Sequence, residues 1–494
     1  MDVFTGTVAM IGVVIVVASL LSGALERSGL PIVAVFLGLG ALLGPHALGL
    51  AEVGFESPSL HALAMLGLAL VLFSDAATFD VPALKTRRPL LWTVLGPGTL
   101  FPALVIGLAA WWLLDVPPAA AAILGAALGS TDPVLLRSVL RSPALPEPTR
   151  VVLRLESGAN DIVLLPIVVI AMLLLGPAAG AEAHAVAQRS LPATLLGLFL
   201  LGPLLGIAVG WVGIRALAAI RSRVGVRRDY ESLYALGLAF SAFALAEGVG
   251  GSGFVAAFAA GLVVAAQDVE LCECFLEYGE ATAEMLLLLT FVALGTTLIW
   301  TGFDVVSVRS LAFAGVALTA RTLVLYPVLA PLKLDQRDRR LIALFGPRGL
   351  SSLLLVLLPV FAGVRGAEQM FAITCLVVLL SVVLHGGGIA LFLRRASGHR
   401  SEVQPTTGPA PRPSRSPALA VLDDGVPEKI TLAELETLRA AGEELVIVDA
   451  RADKAWNAEQ IKAAGSVRLH PDDPVRDATV NRLSQRATLV VYCA

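Results

Sequence analysis

Polar residues are sparse and regularly spaced along most of this chain. From Thr7 to about Leu393, apolar runs of ~17–27 residues alternate with short polar breaks, and a membrane-crossing helix needs about 20 apolar residues to span a hydrocarbon layer of about 30 Å. Thirteen runs are read: about 7–25, 30–50, 59–78, 89–114, 118–140, 149–175, 191–218, 229–248, 250–267, 283–301, 308–332, 339–363 and 368–393. The eighth and ninth are nearly continuous, so twelve and fourteen remain alternative counts. The predicted fold class is an all-α polytopic membrane protein. The N-terminus has no basic leader and no clear cleavage site, so no signal peptide is expected.

The basic residues orient the runs. Arg27, Lys85, Arg87, Arg88, Arg141, Arg150, Arg215, Arg221, Arg223, Arg227 and Arg228 fall in odd-numbered loops, as do Lys333, Arg337, Arg339 and Arg340. Even loops hold only Arg189, Arg309 and Arg365. Positive residues stay on the cytoplasmic side. The N-terminus is therefore expected outside and the C-terminus in the cytoplasm, in a plasma (inner) membrane. The ninth loop is acidic (Asp268, Glu270, Glu273, Glu277, Glu280) and reads as a solvated connector helix. Acidic residues weigh little in topology, so the orientation stands.

Past Arg395 the pattern changes. The boundaries read are 1–395 for the membrane domain, 396–419 for a Pro/Ser-rich linker and 420–494 for a soluble α/β piece. In the last, a helix is predicted near Leu432–Ala441 and strands at Leu445–Asp449 and Leu489–Tyr492, with another helix between them. Composition sharpens this division. The 494 residues are 56% hydrophobic and 15% charged, against about 25% charged in soluble domains. A mean hydropathy of +0.81 excludes a wholly soluble protein. Four cysteines exclude a disulfide scaffold, and a net charge of −3 argues against nucleic acid as a partner.

Charges inside the apolar runs are costly and mark function. They are Asp75, Asp132, Arg154, Glu156, Asp161, Glu247, Arg321 and Arg348. Asp132 lies in LGSTDPVLL, where Pro133 removes a backbone donor and Gly129 and Ser130 weaken the preceding turn. The twelfth run has a matching FGPRGLSS at Phe345–Ser352. One interrupted span in each half is the pattern of an inverted-repeat transporter. Spans 4–6 and 11–13 then become counterparts; ordinary proline kinks are the bland alternative.

The sixth run carries Glu156, Ser157, Asn160 and Asp161 within about one and a half turns. Oxygen ligands of this kind suit a hard monovalent cation. Burial disfavours a charged carboxylate, so such a group holds a proton or a cation in competition. A buried network that merely packs helices is the alternative. Buried guanidinium cannot shed its charge, so Arg321 and Arg348 are the expected partners of Glu156 and Asp132. Arg154 reads as a snorkelling side chain. Asp75 and Glu247 read as span-end residues, and His385 as a packing histidine.

These residues resemble the monovalent cation:proton antiporter family, which contains the NhaP-type exchangers and the animal sodium/proton exchangers. The resemblance covers roughly 1–395. It rests on STDPV (Ser130–Val134), ESGANDI (Glu156–Ile162), AEGVGGSGFVAAFAAGL (Ala246–Leu262), FVALG (Phe291–Gly295), the Arg of LTARTL, and GPRGLSSLL. It implies a homodimer with thirteen spans, crossed broken helices and elevator-like alternating access. It implies that Asp161 carries the ion and the proton, with Thr131, Asp132, Ser157 and Asn160 around it and Na⁺ held at Asp161 and Asp132. Glu156 and Arg321 become a structural pair, and Arg348 the charge at the helix crossing. The Asn160–Asp161 pair resembles the electroneutral branch. The departures are ESGAND, with small residues at Gly158 and Ala159, and LFSDAATFD (Leu72–Asp80).

The tail resembles a rhodanese-like domain through VIVDAR (Val446–Arg451), EQIKAAGSVRL (Glu459–Leu469, with Gln460 where that family commonly has histidine) and VVYCA (Val490–Ala494). Cys493 then falls at the sulfurtransferase cysteine. The sequence stops one residue later, before the loop that would activate a thiolate, so an incomplete domain without that activity is expected. Cys272 and Cys274 form no zinc pattern, and Cys375 reads as a membrane-buried small hydrophobe. The expected function is antiport of a monovalent cation, Na⁺ first, against H⁺, with no cofactor. A K⁺/H⁺ exchanger or a regulated channel of the same fold, with the tail as a regulatory or sulfur-sensing module, is the alternative.

Overall fold

The structure, a computed structural model, describes residues 11–20, 32–50, 52–79, 88–140, 145–178, 190–223, 228–267, 273–332 and 334–401, with single positions and short stretches elsewhere, notably 445–450, 465–469 and 488–492. The chain divides into two units, Met1–Gln404 and Pro405–Ala494.

The first unit is helical. Its helices are α1 (Ile11–Leu20), α2 (Ile32–Leu43), α3 (Pro58–Ala77), α4 (Arg88–Leu95), α5 (Pro97–Leu114), α6 (Pro118–Gly129), α7 (Pro133–Leu140), α8 (Glu147–Leu175) and α9 (Leu191–Leu196). There follow α10 (Gly202–Arg223), α11 (Arg228–Gly248), α12 (Gly253–Ala266), α13 (Glu273–Thr296), α14 (Val308–Val328), α15 (Gln336–Leu344), α16 (Leu350–Phe361) and α17 (Ala367–Ser401). Among the described residues, seven stretches are long and apolar enough to cross a membrane, and six shorter apolar helices accompany them. Their outward faces carry Trp92, Leu104, Trp112, Phe199 and Leu323, the surface a hydrocarbon solvent requires. The unit is a polytopic helical membrane domain.

Several boundaries have local causes. The eighth and ninth runs are separate helices, because Gly250 turns the chain at φ +82°. The acidic loop is not a free-standing connector: from Glu273 onward it is the start of α13. Helix α17 continues to Ser401, six residues into the expected linker, because the first proline there is Pro405.

The helices pack in two groups. In one, α2 and α3 lie against α13, α3 against α12, and α10 and α11 against α12. Gly40 and Gly295 let α2 and α13 touch backbone to backbone; a Cβ on Gly40 would lie 2.8 Å from the Gly295 Cα. In the other group, α5 packs on α6 and α14, α6 on α8 and α16, and α16 on α17. Helix α8 also touches α3 and so borders both groups.

In the second unit, β1 (Leu445–Asp449), β2 (Val467–Arg468) and β3 (Thr488–Tyr492) form a parallel sheet in the order β2-β1-β3. Val448 is in register with Val467, and Leu445 with Thr488. The Tyr492 hydroxyl donates to buried Asp449 at 2.5 Å. Cys493 and the helix expected near 432–441 lie outside the described residues, save for Leu435, which is helical.

Candidate functional site

Two spans are broken where proline and glycine interrupt them. The chain leaves α6 at Ser130 in an extended conformation, and Pro133 opens α7 without an N–H. In the second break, Pro347 stands between Gly346 and Gly349, and α16 restarts at Leu350. The two extended segments cross and bond to each other: the Asp132 N–H donates to the Pro347 carbonyl at 3.0 Å.

Four half-helix ends are thus brought into the interior, each with unmatched backbone groups and a partial dipole charge. Buried groups of this kind must find partners, and here side chains supply them. Asp132 serves both N-terminal ends. Its Oδ1 accepts from the Val134 N–H of α7 at 2.9 Å, and its Oδ2 from the Leu350 N–H of α16 at 2.9 Å. Arg348 serves the C-terminal end of α6, donating to the Gly129 and Ser130 carbonyls at 3.0 and 2.7 Å. Arg321 serves the C-terminal end of α15, donating to the Ile342 and Ala343 carbonyls at 2.7 and 2.9 Å. Thr322 adds a bond to the Ala343 carbonyl at 3.0 Å. Each end therefore meets a side chain of opposite sign.

This corrects one expectation. Arg348 does not neutralise Asp132 directly: each is engaged with backbone of the opposite partial charge. The reason is the broken backbone itself, whose bare carbonyls and N–H groups compete for the same charges. Each Asp132 oxygen already accepts one backbone N–H. Arg321 pairs with Glu156, its Nε and Nη2 donating at 2.6 and 2.5 Å to the two carboxylate oxygens. That pair is almost fully buried. The Arg348 N–H donates to the Ser381 Oγ at 2.7 Å, and that oxygen lies 3.1 Å from His385 Nδ1.

Asp161 is the carboxylate left at the crossing without a backbone helix end to serve. It sits mid-way along α8 and is 3% exposed. The Ser130 hydroxyl, from the first break, donates to its Oδ1. Ser351, in the first turn of α16, is placed to donate to it as well. Beside it, Asn160 donates to Thr131 Oγ1 at 2.7 Å, and the buried Asn160 Oδ1 has no hydrogen-bond partner. Ser157 is buried one turn earlier on α8, but the hydroxyl on Asp161 from the first break is that of Ser130.

Sequence reasoning passed over Ser130, Ser351 and Gly349. A Cβ on Gly349 would overlap the Asp132 carboxylate, so only glycine admits the double cap. The signal was present in STDPV and GPRGLSS, but nothing in a single sequence says which serine meets which acid. Asp75, read as a span-end residue, does lie in the last turn of α3, and its Cβ and the Phe79 ring lie 3.3 Å from where a Gly158 Cβ would be. The small residue at 158 thus admits α3 against α8. Glu247 does lie at the end of α11, where it accepts the Gly253 N–H at 2.8 Å. Arg154 is exposed. Arg137 of α7 forms an ion pair with Glu284 of α13.

Crossed half-helices with charges at every buried end, beside one carboxylate under a hydroxyl donor, place a charged centre inside a polytopic helical membrane domain. Comparison with known proteins gives the family. Residues 13–395 match the family "Sodium/hydrogen exchanger, transmembrane", and the chain belongs to it. A K(+)/H(+) antiporter NhaP2 of Shewanella sp. (strain MR-4) is 28% identical over 393 residues, covering 77% of this chain and 65% of the relative. A K(+)/H(+) antiporter NhaP of Alkalimonas amylolytica is 27% identical over 401 residues, covering 79% and 67%. The chain thus spans about two thirds of the length of these relatives. The solved sodium proton antiporter MjNhaP1 of Methanocaldococcus jannaschii shares the fold, with a TM-score of 0.61 at 21% identity, over 78% of this chain and 100% of that one.

Proposed function

We propose that this chain is a secondary active antiporter that exchanges one monovalent cation for one H⁺ by alternating access, with both competing for Asp161. The observation that carries this is the buried Asp161 carboxylate at the crossing, held by neutral hydroxyls rather than by an arginine. A carboxylate locked to guanidinium, as Glu156 is, has no reason to release and rebind a proton. One held by hydroxyls has, because a proton or a cation replaces their hydrogen bonds at similar cost. Asp132 is a structural cap in this reading, and Asn160 and Thr131 are neighbours of the carrier group.

Na⁺ is the cation favoured here. K⁺ is the second reading, favoured by the names of the Shewanella and Alkalimonas relatives. Thirteen spans follow from the thirteen apolar runs, each of which holds one of the long or shorter apolar helices. With the loop charges this puts the N-terminus outside and the C-terminus in the cytoplasm of the plasma membrane. We read the working unit as a homodimer and the tail as a rhodanese-like module, supported by its parallel β2-β1-β3 sheet.

Proton flux in proteoliposomes tests the reading. With Na⁺, K⁺ or Li⁺ gradients imposed in turn, wild type should move protons only against a cation, and at a rate insensitive to voltage. Asp161→Asn should insert and fold yet show no exchange. Wild-type exchange by that variant would sink the assignment, and cation flux uncoupled from protons would mean a channel.

A further inference from the structure

The groups around Asp161 carry more than the identity of the carrier carboxylate. Two hydroxyls reach it, and they come from opposite broken spans. Ser130 belongs to the segment that leaves α6, and Ser351 to the first turn of α16. Both are buried, Ser130 at 0% and Ser351 at 5% exposed. Their spacing is set by the crossing, which the Asp132 bonds to Val134 and Leu350 hold at a fixed geometry. A third oxygen is available on α8 itself, since Asn160 Oδ1 is buried with no donor facing it. An acceptor with no proton to accept is a ready ligand for a cation.

A hydroxyl carries one proton and two lone pairs. The same oxygen can donate to an empty carboxylate and, after rotation about its own C–O bond, present a lone pair to an ion. No backbone movement is needed. Hard oxygen donors of this type suit alkali cations. Because they are neutral, the site keeps the single negative charge of Asp161, which matches one monovalent cation or one proton.

We propose that Ser130 and Ser351 are cation-selecting residues: they clamp the Asp161 carboxylate when no cation is bound and become ligands to the cation when one binds. This rests on the antiport reading above. The spacing of the two hydroxyl oxygens, fixed by the crossing, then discriminates between cation radii.

The test uses the full chain in proteoliposomes, with KM and maximal rate measured separately for Na⁺, K⁺ and Li⁺. Ser130→Ala and Ser351→Ala should each raise the KM for the preferred cation about tenfold, the effect of losing one bond of ordinary strength. The maximal rate should stay within about twofold, and the ratio of KM values among cations should change. Ser351→Thr keeps the oxygen and should restore the wild-type KM. Ser351→Cys keeps the volume but offers sulfur, a poor ligand for a hard cation, and should behave like the alanine variant; it decides the matter if the alanine variants do not fold. Unchanged KM values and an unchanged cation order in the serine variants overturn the proposal. Exchange surviving in Asp161→Asn overturns the antiport reading beneath it, so the two failures are distinct.

Discussion

The two broken spans are counterparts in the chain, yet they are stabilised in different ways. The first break carries its own acid, and Asp132 caps the helix that follows it as well as α16 in the other span. The second carries its own base, but Arg348 reaches back to the carbonyls of the first. The C-terminal end of the second span's leading half, α15, is capped by neither break. It depends on Arg321, borrowed from α14 and itself tied to Glu156 of α8. The first break is therefore closed by the two breaks together, whereas the second leans on two further helices. A repeat that is symmetric in sequence pattern is thus asymmetric in its charges, and the additional pair at Glu156–Arg321 is where that asymmetry is met.

The largest effect expected of breaking this arrangement is at that pair. Arg321→Ala would leave the Glu156 carboxylate buried without its counter-charge, the Ile342 carbonyl without its donor and the Ala343 carbonyl with Thr322 alone. Removing one partner of a buried pair costs about 3–5 kcal/mol, so purified yield and the melting temperature in detergent should fall sharply. Glu156→Gln should fall less, because the carbonyl bonds of Arg321 survive. The double variant Glu156→Leu/Arg321→Met should recover part of the loss. It should stay about 1–3 kcal/mol below wild type, the cost of the orphaned Ile342 carbonyl. Full recovery would mean that Arg321 is an ion-pair partner and not a helix cap.

How much of this was legible beforehand follows from the same chemistry. Run length exposed the helices, and proline beside glycine exposed both breaks, because these are properties of adjacent residues. Glu156 and Asp161 could be read as a cluster because both lie within two turns of one helix. The partners lay out of reach. Arg348 meets Gly129 across 219 positions and Arg321 meets Glu156 across 165, and nothing in a single sequence ranks a carbonyl above a carboxylate as the target of a guanidinium. Pairing Arg348 with Asp132 followed from counting charges alone. The dipoles of the cut helices, which are invisible as residue types, decided otherwise. Ser130 and Ser351 were missed for a related reason, since serines are common in membrane helices and only the crossing puts these two on an acid.

Asp132 sharpens the comparison at the next level. Asp132→Asn keeps one acceptor oxygen, so one of the two N-terminal ends loses its charge-assisted bond. A loss of about 1.5–3 kcal/mol is expected, read as a lower melting temperature. Exchange is expected to weaken with stability rather than vanish, since Asp161 is untouched. Loss of exchange in a fully stable Asp132→Asn protein would instead return Asp132 to the ion site. The glycines separate the two breaks further. Gly349→Ala drives a methyl group into the Asp132 carboxylate, while Gly346→Ala meets the Arg321 side chain at 2.5–2.8 Å. Overpacking of this kind costs about 1–3 kcal/mol. Gly349→Ala should be the worse, because it displaces a cap shared by two helices.

The smallest effect belongs to Thr322. Its hydroxyl is the second donor to the Ala343 carbonyl, which Arg321 already serves. Thr322→Val removes the hydroxyl at nearly constant shape and leaves no buried group unpaired. A loss of about 0.5–1.5 kcal/mol follows, the net worth of one hydrogen bond. In the Arg321→Ala background the same change should cost more, because Thr322 is then the remaining donor among those identified at that helix end. A double-mutant cycle on melting temperature reads the difference directly. Equal costs in the two backgrounds would show that the carbonyl does not depend on these donors, and the asymmetry between the breaks would then rest on Glu156–Arg321 alone.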